Sequence, residues 1–413
     1  MTNNNLIRKL LKLKDLKVVN FAFNRGGELE IAVKPYKNGC RCQQCGRRGK
    51  IVRTRPQARR WRDISVGSWT VWLLYYPREI VCPTHGRGLE VIAWAEPYAR
   101  FSYRYEYVML RYCQMMTQKA AAELLRVSTS TLSDQLHASI GSLRSGHRIR
   151  GLKTIGIDEI SYCKGHKYAT LVYDLDRSVV VWVGEGKGRK TIDEFFNNML
   201  SDYQKQKITA GSCDMSDAYI GAINTHCPNA TLVLDRFHIV KALNAAVDEV
   251  RKAQWRDAGV DERKALKGLR WLLYRHSSTR SREDTRTLKA LEKANNRIYR
   301  AWRLKDEFEQ FWDYNAPWAA QRFLKSWMTS SLRSRLEPMK KFVATLRKYE
   351  SGVMAFIGTR LTNAVGEGLN RIAKIVKNRA SGFRNLSAFT DMIFLTIGDV
   401  DIPAQIPTKF RTV

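Results

Sequence analysis

Between residues 152 and 235 the apolar positions come in short blocks. The runs KTIGIDEIS, KYATLVYDL and SVVVWVGE follow closely on one another, the spacing of antiparallel strands joined by tight turns. A helical stretch, KTIDEFFNNML, separates them from a fourth apolar run, KITAGSC, and a second helix, SDAYIGAINTH, leads to a fifth, ATLVLD. This order predicts a meander of three strands followed by strands that run parallel because helices join them. After Phe237 the apolar spacing becomes helical for more than a hundred residues. A last polar–apolar helix is predicted near 362–379. There Val365, Leu369, Ile372 and Val376 share one stripe, and Glu367, Asn370, Arg371, Lys374 and Asn378 the opposite one.

Upstream, ELEIAVKP reads as a strand, and two strand-like runs around Val66-Gly67-Ser68 predict a hairpin. From about Pro97 to Gly151 the pattern is helical. Within it, QKAAAELLRVSTSTLSDQLHASI places Ala121, Leu124 and Leu125 on one face of a first helix. RVS makes a turn, and Ser128 or Thr129 can cap a second helix over about 130–140. Leu132, Leu136 and Ile140 point inward on that helix, leaving Ser130, Thr131, Ser133, Asp134 and Gln135 outside. A helix rich in small residues, a short turn and a polar second helix is the helix-turn-helix pattern, whose second helix enters the major groove of DNA.

Charge supports that reading. Among 413 residues there are 71 Lys and Arg against 39 Asp and Glu, a net charge of +32 spread over the whole chain. A polyanion partner follows, with nucleic acid first and phosphate contacts that make binding salt-dependent. An anionic membrane is disfavoured, since no apolar run is long enough to span a bilayer and no signal peptide is evident. The 44 % apolar content is enough for real cores, and the length suits two to four domains.

Four of the eight cysteines lie between residues 40 and 82. Without a secretory segment, metal binding explains them better than disulfides. Cys42 and Cys45 form one pair and Cys82 and His85 another, two bites that together complete a closed tetrahedral site for structural zinc. Cys40 is an alternative to Cys42. Arg41, Arg47 and Arg48 surround the first pair, and Arg59 and Arg60 follow, so the module presents a basic surface to DNA.

The remaining chemistry is acidic. The strand order resembles an RNase H-like fold, in which the first strand is central and the fourth lies beside it. Asp158 then sits mid-to-late on the first strand, and Asp214 ends the fourth. Two such carboxylates repel unless a divalent cation neutralises them. Two magnesium ions, with manganese able to substitute, would serve phosphodiester chemistry there. Glu367, the one acid in its helix, is the candidate third ligand. Asp235 and His238, three apart at a helix start, offer an acid and a proton carrier. The second aspartate could instead be Asp217 or Asp235; Asp214 is favoured because it directly follows an apolar strand. Alternation along a strand turns Glu159 away from Asp158, toward a basic partner on the other face.

The motifs CQQCG, CPTH, AAELLRVSTSTL, IGIDEIS, CDMSDAY, LDRFHIVK and NAVGEGLNRIAKIVKNRASGF appear in that order. As a set they resemble the ISL-three-type family of bacterial insertion-sequence transposases, of the DDE class, over almost the whole chain. The resemblance implies binding of element terminal inverted repeats, then metal-dependent strand cleavage and strand transfer into target DNA. It puts the acidic triad on Asp158, Asp214 and Glu367, and an Asp-x-x-His feature on Asp235 and His238. It implies an N-terminal arm and zinc-binding domain over 1–96 and a helix-turn-helix domain over 97–150. An RNase H-like core over 151–245 and 356–413 would be interrupted by an all-helical insertion over 246–355. Ser130, Thr131 and Gln135 would read DNA, and Arg371, Lys374 and Lys377 would hold phosphates. Joining two ends implies a homodimer or higher oligomer, acting in the cytoplasm at the bacterial nucleoid. His85 stands where the family might have cysteine, and Gly366 precedes the Glu-Gly pair. The tryptophans of the insertion, Trp255, Trp271, Trp302, Trp312, Trp318 and Trp327, are candidates for packing or for DNA or protomer contacts. A non-catalytic DNA-binding regulator and a nuclease without joining activity are the rival readings.

Overall fold

The computed structural model describes residues 3–13, 16–35, 40–96, 98–145, 149–293 and 297–402. Pro97, at the expected start of the second domain, and residues 403–413 of the C-terminal segment lie outside them.

The amino-terminal apolar runs pair into two small sheets. After α1 (Asn3–Leu10) come β1 (Leu16–Phe23) and β2 (Leu29–Pro35), then β3 (Lys50–Thr54), β4 (Arg59–Val66), β5 (Trp69–Tyr75), β6 (Arg78–Cys82) and β7 (Gly86–Leu89). One sheet has the order β1–β2–β5–β4 and the other β3–β6–β7. The expected hairpin is β4–β5, turned by Gly67 at φ 56°, a left-handed conformation that glycine adopts without strain. Trp61 and Trp94, fully buried and edge-to-face at 5.5 Å, centre this core.

Three helices follow: α2 (Tyr103–Met115), α3 (Gln118–Leu125) and α4 (Thr129–Arg144). Arg126, at φ 52°, ends α3, and Ser128 Oγ caps α4 by accepting from the Thr131 amide at 3.1 Å. The second helix therefore starts where its cap residue predicts and runs one turn longer than its apolar spacing suggested. Leu132, Leu136 and Ile140 are buried. Arg62, itself buried in β4, donates to the carbonyls of Leu125 and Arg126, so the first sheet helps hold the C-terminal end of α3.

The larger sheet is built from β8 (Thr154–Cys163), β9 (Lys167–Asp174) and β10 (Val179–Glu185), then β11 (Ala210–Cys213) and β12 (Thr231–Leu234). Between β10 and β11 lie α5 (Arg189–Met199) and α6 (Asp202–Lys207); α7 (Asp217–His226) joins β11 to β12. The order is β10–β9–β8–β11–β12, antiparallel among the first three and parallel from β8 through β12. The first strand is thus central and the fourth is its neighbour.

Next comes a helical stretch: α8 (Arg236–Asp257), α9 (Val260–Leu266), α10 (Leu269–Tyr274), α11 (Arg282–Lys293), α12 (Arg297–Phe308), α13 (Pro317–Arg333), α14 (Glu337–Lys348) and α15 (Glu350–Thr359). Its core is aromatic. Phe308 lies 4.7 Å from Trp327 and 5.9 Å from Trp312, ring centre to ring centre. Burying each such side chain contributes roughly 1.5–3 kcal/mol. Trp302, Trp312 and Trp327 are therefore packing residues, whereas Trp271 and Trp318 are exposed. The chain returns to the sheet through α16 (Ala364–Arg379) against β8 and α17 (Leu386–Ile397) against β10 and α4. Among the described residues no helix is long and apolar enough to cross a membrane.

The stripes expected on α16 need one correction. Asn370 is buried and Ile372 is 38 % exposed. Periodicity ranks residues by polarity alone, and here Asn370 meets the polar groups of Tyr173 and Asp158 while Leu369, Ala373 and Val376 pack on apolar residues.

Candidate functional site

β11 and β12 end level with the middle of β8, and each of these three parallel strands delivers an acid there. Asp158 lies within β8 on the face of Ile160 and Tyr162, which pack with Leu369, Ala373 and Phe389 of α16 and α17. Its neighbour Glu159 belongs to the opposite face, with Ile155 and Ile157, and its carboxylate stands 3.9 Å from the Lys187 ammonium. Asp214 is the first residue after β11, with Oδ1 accepting from the Ser216 amide at 3.1 Å. Asp235 is the first after β12 and the N-cap of α8, accepting from the Phe237 amide at 2.9 Å. One turn into α8, His238 stands between them, its Nδ1 4.0 Å from Asp214 and its Nε2 3.9 Å from Asp235. Glu367, in the first turn of α16, feels both Asp235 and His238. Asp217 is engaged elsewhere: exposed at the start of α7, it pairs with Lys348 at 2.6 Å and Tyr349 at 2.8 Å.

The electrostatics are unfavourable as they stand. Burial pushes the Asp158 carboxyl up to about 6, and the nearby Asp214 and Asp235 raise it further against the Glu159 amide and His238, which lower it. Burial also raises Asp214, with Asp235 adding to it. Glu367 is raised by burial and then by Asp235. The acids raise one another at this site, and the nearby His238 and Lys241 offset this only in part. Hard oxygen donors in this state fit divalent cations of the magnesium type.

The amino-terminal cysteines form a second centre. One ligand atom from each of Cys42, Cys45, Cys82 and His85 lies within 4.8 Å of all the others. The Gln44 amide points at Cys42 Sγ and the Thr84 amide at Cys82 Sγ, each at 3.4 Å. The amides of Thr84 and His85 pull the Cys82 thiol down to about 6, toward the thiolate that binds metal. Three sulfurs and one nitrogen at this separation fit zinc. Cys40 lies apart: its buried thiol donates to Glu90 at 3.2 Å, and burial raises it to about 12.

The candidate DNA-contact residues are dispersed. Arg47, Arg48 and Arg60 are exposed, while Arg59 is half-buried against the Trp61 ring. On α4, Ser130 is exposed and Thr131 and Gln135 are half-buried; Ser130 and Thr131 also share hydrogen bonds with the capping Ser128. Arg371 and Lys374 are exposed on α16, and Lys377 is half-buried. Two asparagines beside the acids, Asn363 and Asn370, were not singled out as site residues. Their positions four before and three after Glu367 put all three on one helix face, a signal that was available.

A transposase family model, that of ISL3 elements, matches residues 155–393, and the helix-turn-helix domain model of transposase family ISL3 matches residues 91–139. The chain is similar to the transposase for insertion sequence element IS1001 of Bordetella parapertussis, 30 % identical over 88 % of this chain and 90 % of that one. It is also similar to the transposase for insertion sequence element IS1557 of Mycobacterium tuberculosis, 26 % identical over 86 % of this chain and 85 % of the relative. Among solved structures, the Drosophila P element transposase strand transfer complex overlaps 70 % of this chain and 91 % of its own, at 11 % identity and a TM-score of 0.36, too low to bear on function.

Proposed function

The chain belongs to the ISL3 family of transposases, and on that premise we propose that it cuts and joins DNA at an acid-lined site on an RNase H-like core. The observation that carries the reading is the meeting of Asp158, in the middle of β8, with Asp214 and Asp235 at the ends of β11 and β12 and with Glu367 of α16. Asp158, Asp214 and Glu367 hold two magnesium ions, or manganese in their place. When bound, such a pair stabilises charge on the attacking and leaving oxygens of a phosphodiester. His238, with Nδ1 toward Asp214 and Nε2 toward Asp235, holds and passes a proton at the same site. Water attacks the phosphodiester at the element end and breaks its P–O3′ bond, leaving a 3′-hydroxyl and a 5′-phosphate; that hydroxyl then attacks a phosphodiester of the target and expels the target strand's own 3′-hydroxyl.

The other elements serve recognition. Cys42, Cys45, Cys82 and His85 hold a structural zinc that orders the module of residues 1–96 and aims Arg47, Arg48, Arg59 and Arg60 at DNA. The helix-turn-helix of residues 97–150 reads the terminal repeat with Ser130, Thr131 and Gln135. Arg371, Lys374 and Lys377 line the approach to Glu367 as phosphate contacts. The catalytic core is residues 151–245 with 356–413, and residues 246–355 are a helical insertion. Two ends require at least two protomers in the active complex, which works on DNA in the bacterial cytoplasm.

The test is a labelled duplex carrying an element end, incubated with full-length protein and target DNA. Cleavage and strand transfer are expected with magnesium or manganese and neither with a chelator. Binding without cleavage would favour a regulator, and cleavage without joining a nuclease.

A further inference from the structure

α16 meets the acid cluster through two amides as well as through Glu367. Asn363 is its N-cap residue, yet the side chain makes no capping bond. It is buried, and its Nδ2 donates instead to Asp235 Oδ2 at 3.3 Å. Two turns along the same face, Asn370 is also buried, and its Nδ2 donates to Asp158 Oδ2. The hydroxyl of Tyr173, fully buried in β9, donates to Asn370 Oδ1, which dictates that the amino end of that amide faces the acid. Two glycines make the fit possible. A Cβ on Gly366 would overlap Asn363 Oδ1, and a Cβ on Gly156 of β8 would stand 3.1 Å from the same atom.

This is a poor arrangement for mere helix docking. Burying an amide costs desolvation that its hydrogen bonds only partly return, and the Oδ1 of Asn363 is left without a partner. What the amides add is orientation: each engages one oxygen of a different acid and leaves the remaining lone pairs of that carboxylate for another ligand.

We infer that Asn363 and Asn370 are positioning residues that set the rotamers of Asp235 and Asp158, and that they tie this alignment to the docking of α16. The helix that delivers Glu367 is then the same one that aligns the two acids, so the cation site is complete only when α16 is seated. The inference rests on the proposed role of Asp158 as a cation ligand and adds Asp235 as a further one.

The test uses the full-length chain with Asn370→Ala, Asn363→Ala and Tyr173→Phe. Manganese binding is followed by electron paramagnetic resonance, with thermal unfolding in chelator and end binding measured alongside. Either alanine variant should lower manganese affinity roughly 10–100-fold, the usual cost of losing a partner that orients a ligand, with end binding retained. Tyr173→Phe keeps the ring in the core and should give a smaller loss in the same direction, so it carries the test if an alanine variant does not fold. Folded variants whose manganese affinity is unchanged would overturn the inference, even if their cleavage were slow. Asp158→Ala separates the two levels: if it too leaves manganese binding unchanged, the assignment of the acids as ligands fails instead.

Discussion

Asp158 and Glu159 are adjacent in sequence and serve opposite faces of β8. Asp158 hydrogen-bonds to Asn370 of α16, and Glu159 stands 3.9 Å from Lys187. Only the first faces the helix that bears Glu367. Asp158→Ala is expected to slow cleavage by about 10^3-fold, equivalent to ~4 kcal/mol of transition-state stabilisation. Glu159→Ala is expected to stay within about tenfold of wild type, because a half-exposed ion pair contributes no more than ~1 kcal/mol. Single-turnover cleavage rates of the two variants check this, and equal losses would remove the distinction between the faces.

The cysteine cluster predicts one zinc per chain. Cys82→Ala should abolish it, and Cys40→Ser should keep it, because Cys40 is bonded to Glu90 outside the cluster. Metal content of the purified full-length variants is the measurement. Removing zinc from the wild type with a chelator should lower the unfolding temperature of the amino-terminal region and weaken end binding, since a structural site contributes folding free energy.

The raised Asp158 carboxyl has a consequence for stability. Its folded-state value of about 6 lies above the ordinary aspartate value of 3.8, so between those pH values the folded chain holds a proton that the unfolded chain has released. Stability from this group therefore falls as pH rises through that window. Asp158→Asn removes the effect. In the absence of divalent cations the variant should gain on wild type from pH 4 to pH 7, by about 1–3 kcal/mol. Denaturant unfolding at the two pH values measures it, and magnesium should narrow the gap by stabilising the ionised wild type.

Arg371 and Lys374 are exposed on α16, the helix of Glu367, and Glu367 is the sole acid on that helix. Replacing either with Ala should weaken binding of DNA of any sequence to a similar degree. Each should reduce the slope of log affinity against log salt by about one. Gln135→Ala, on the proposed reading helix, should instead reduce discrimination between the element end and other DNA. Titrations at several salt concentrations, with specific and scrambled duplexes, separate the two behaviours.

Much of this arrangement was legible before any coordinates. Strands with apolar runs and short turns predict β8–β9–β10, and the two helix-joined strands predict parallel β11 and β12. A strand-end position distinguishes Asp214 and Asp235 from Asp217, which turns out to face Lys348 and Tyr349. Pairwise spacing of Cys and His was enough to group Cys42, Cys45, Cys82 and His85. It could not say whether Cys40 or Cys42 belonged, because that depends on Glu90, fifty residues away and buried. The burial of Asn370 is not legible from its polar stripe for a related reason. Its partners Asp158 and Tyr173 come from two other elements, and helical periodicity carries no information about them. The tryptophans show the same limit: Trp302 and Trp318 are alike in composition terms, and only packing separates the buried ring from the exposed one.

The account stands on Asp158, Asp214 and Glu367 acting together through divalent cations on DNA. Its most direct test is the rate of cleavage and joining at labelled element ends by Asp158→Asn, Asp214→Asn and Glu367→Gln. The rates are measured in magnesium at protein concentrations where each variant has been shown to bind the ends. The predicted result is bound but uncut DNA for all three. A variant that binds the ends and cuts them at the wild-type rate would contradict the account.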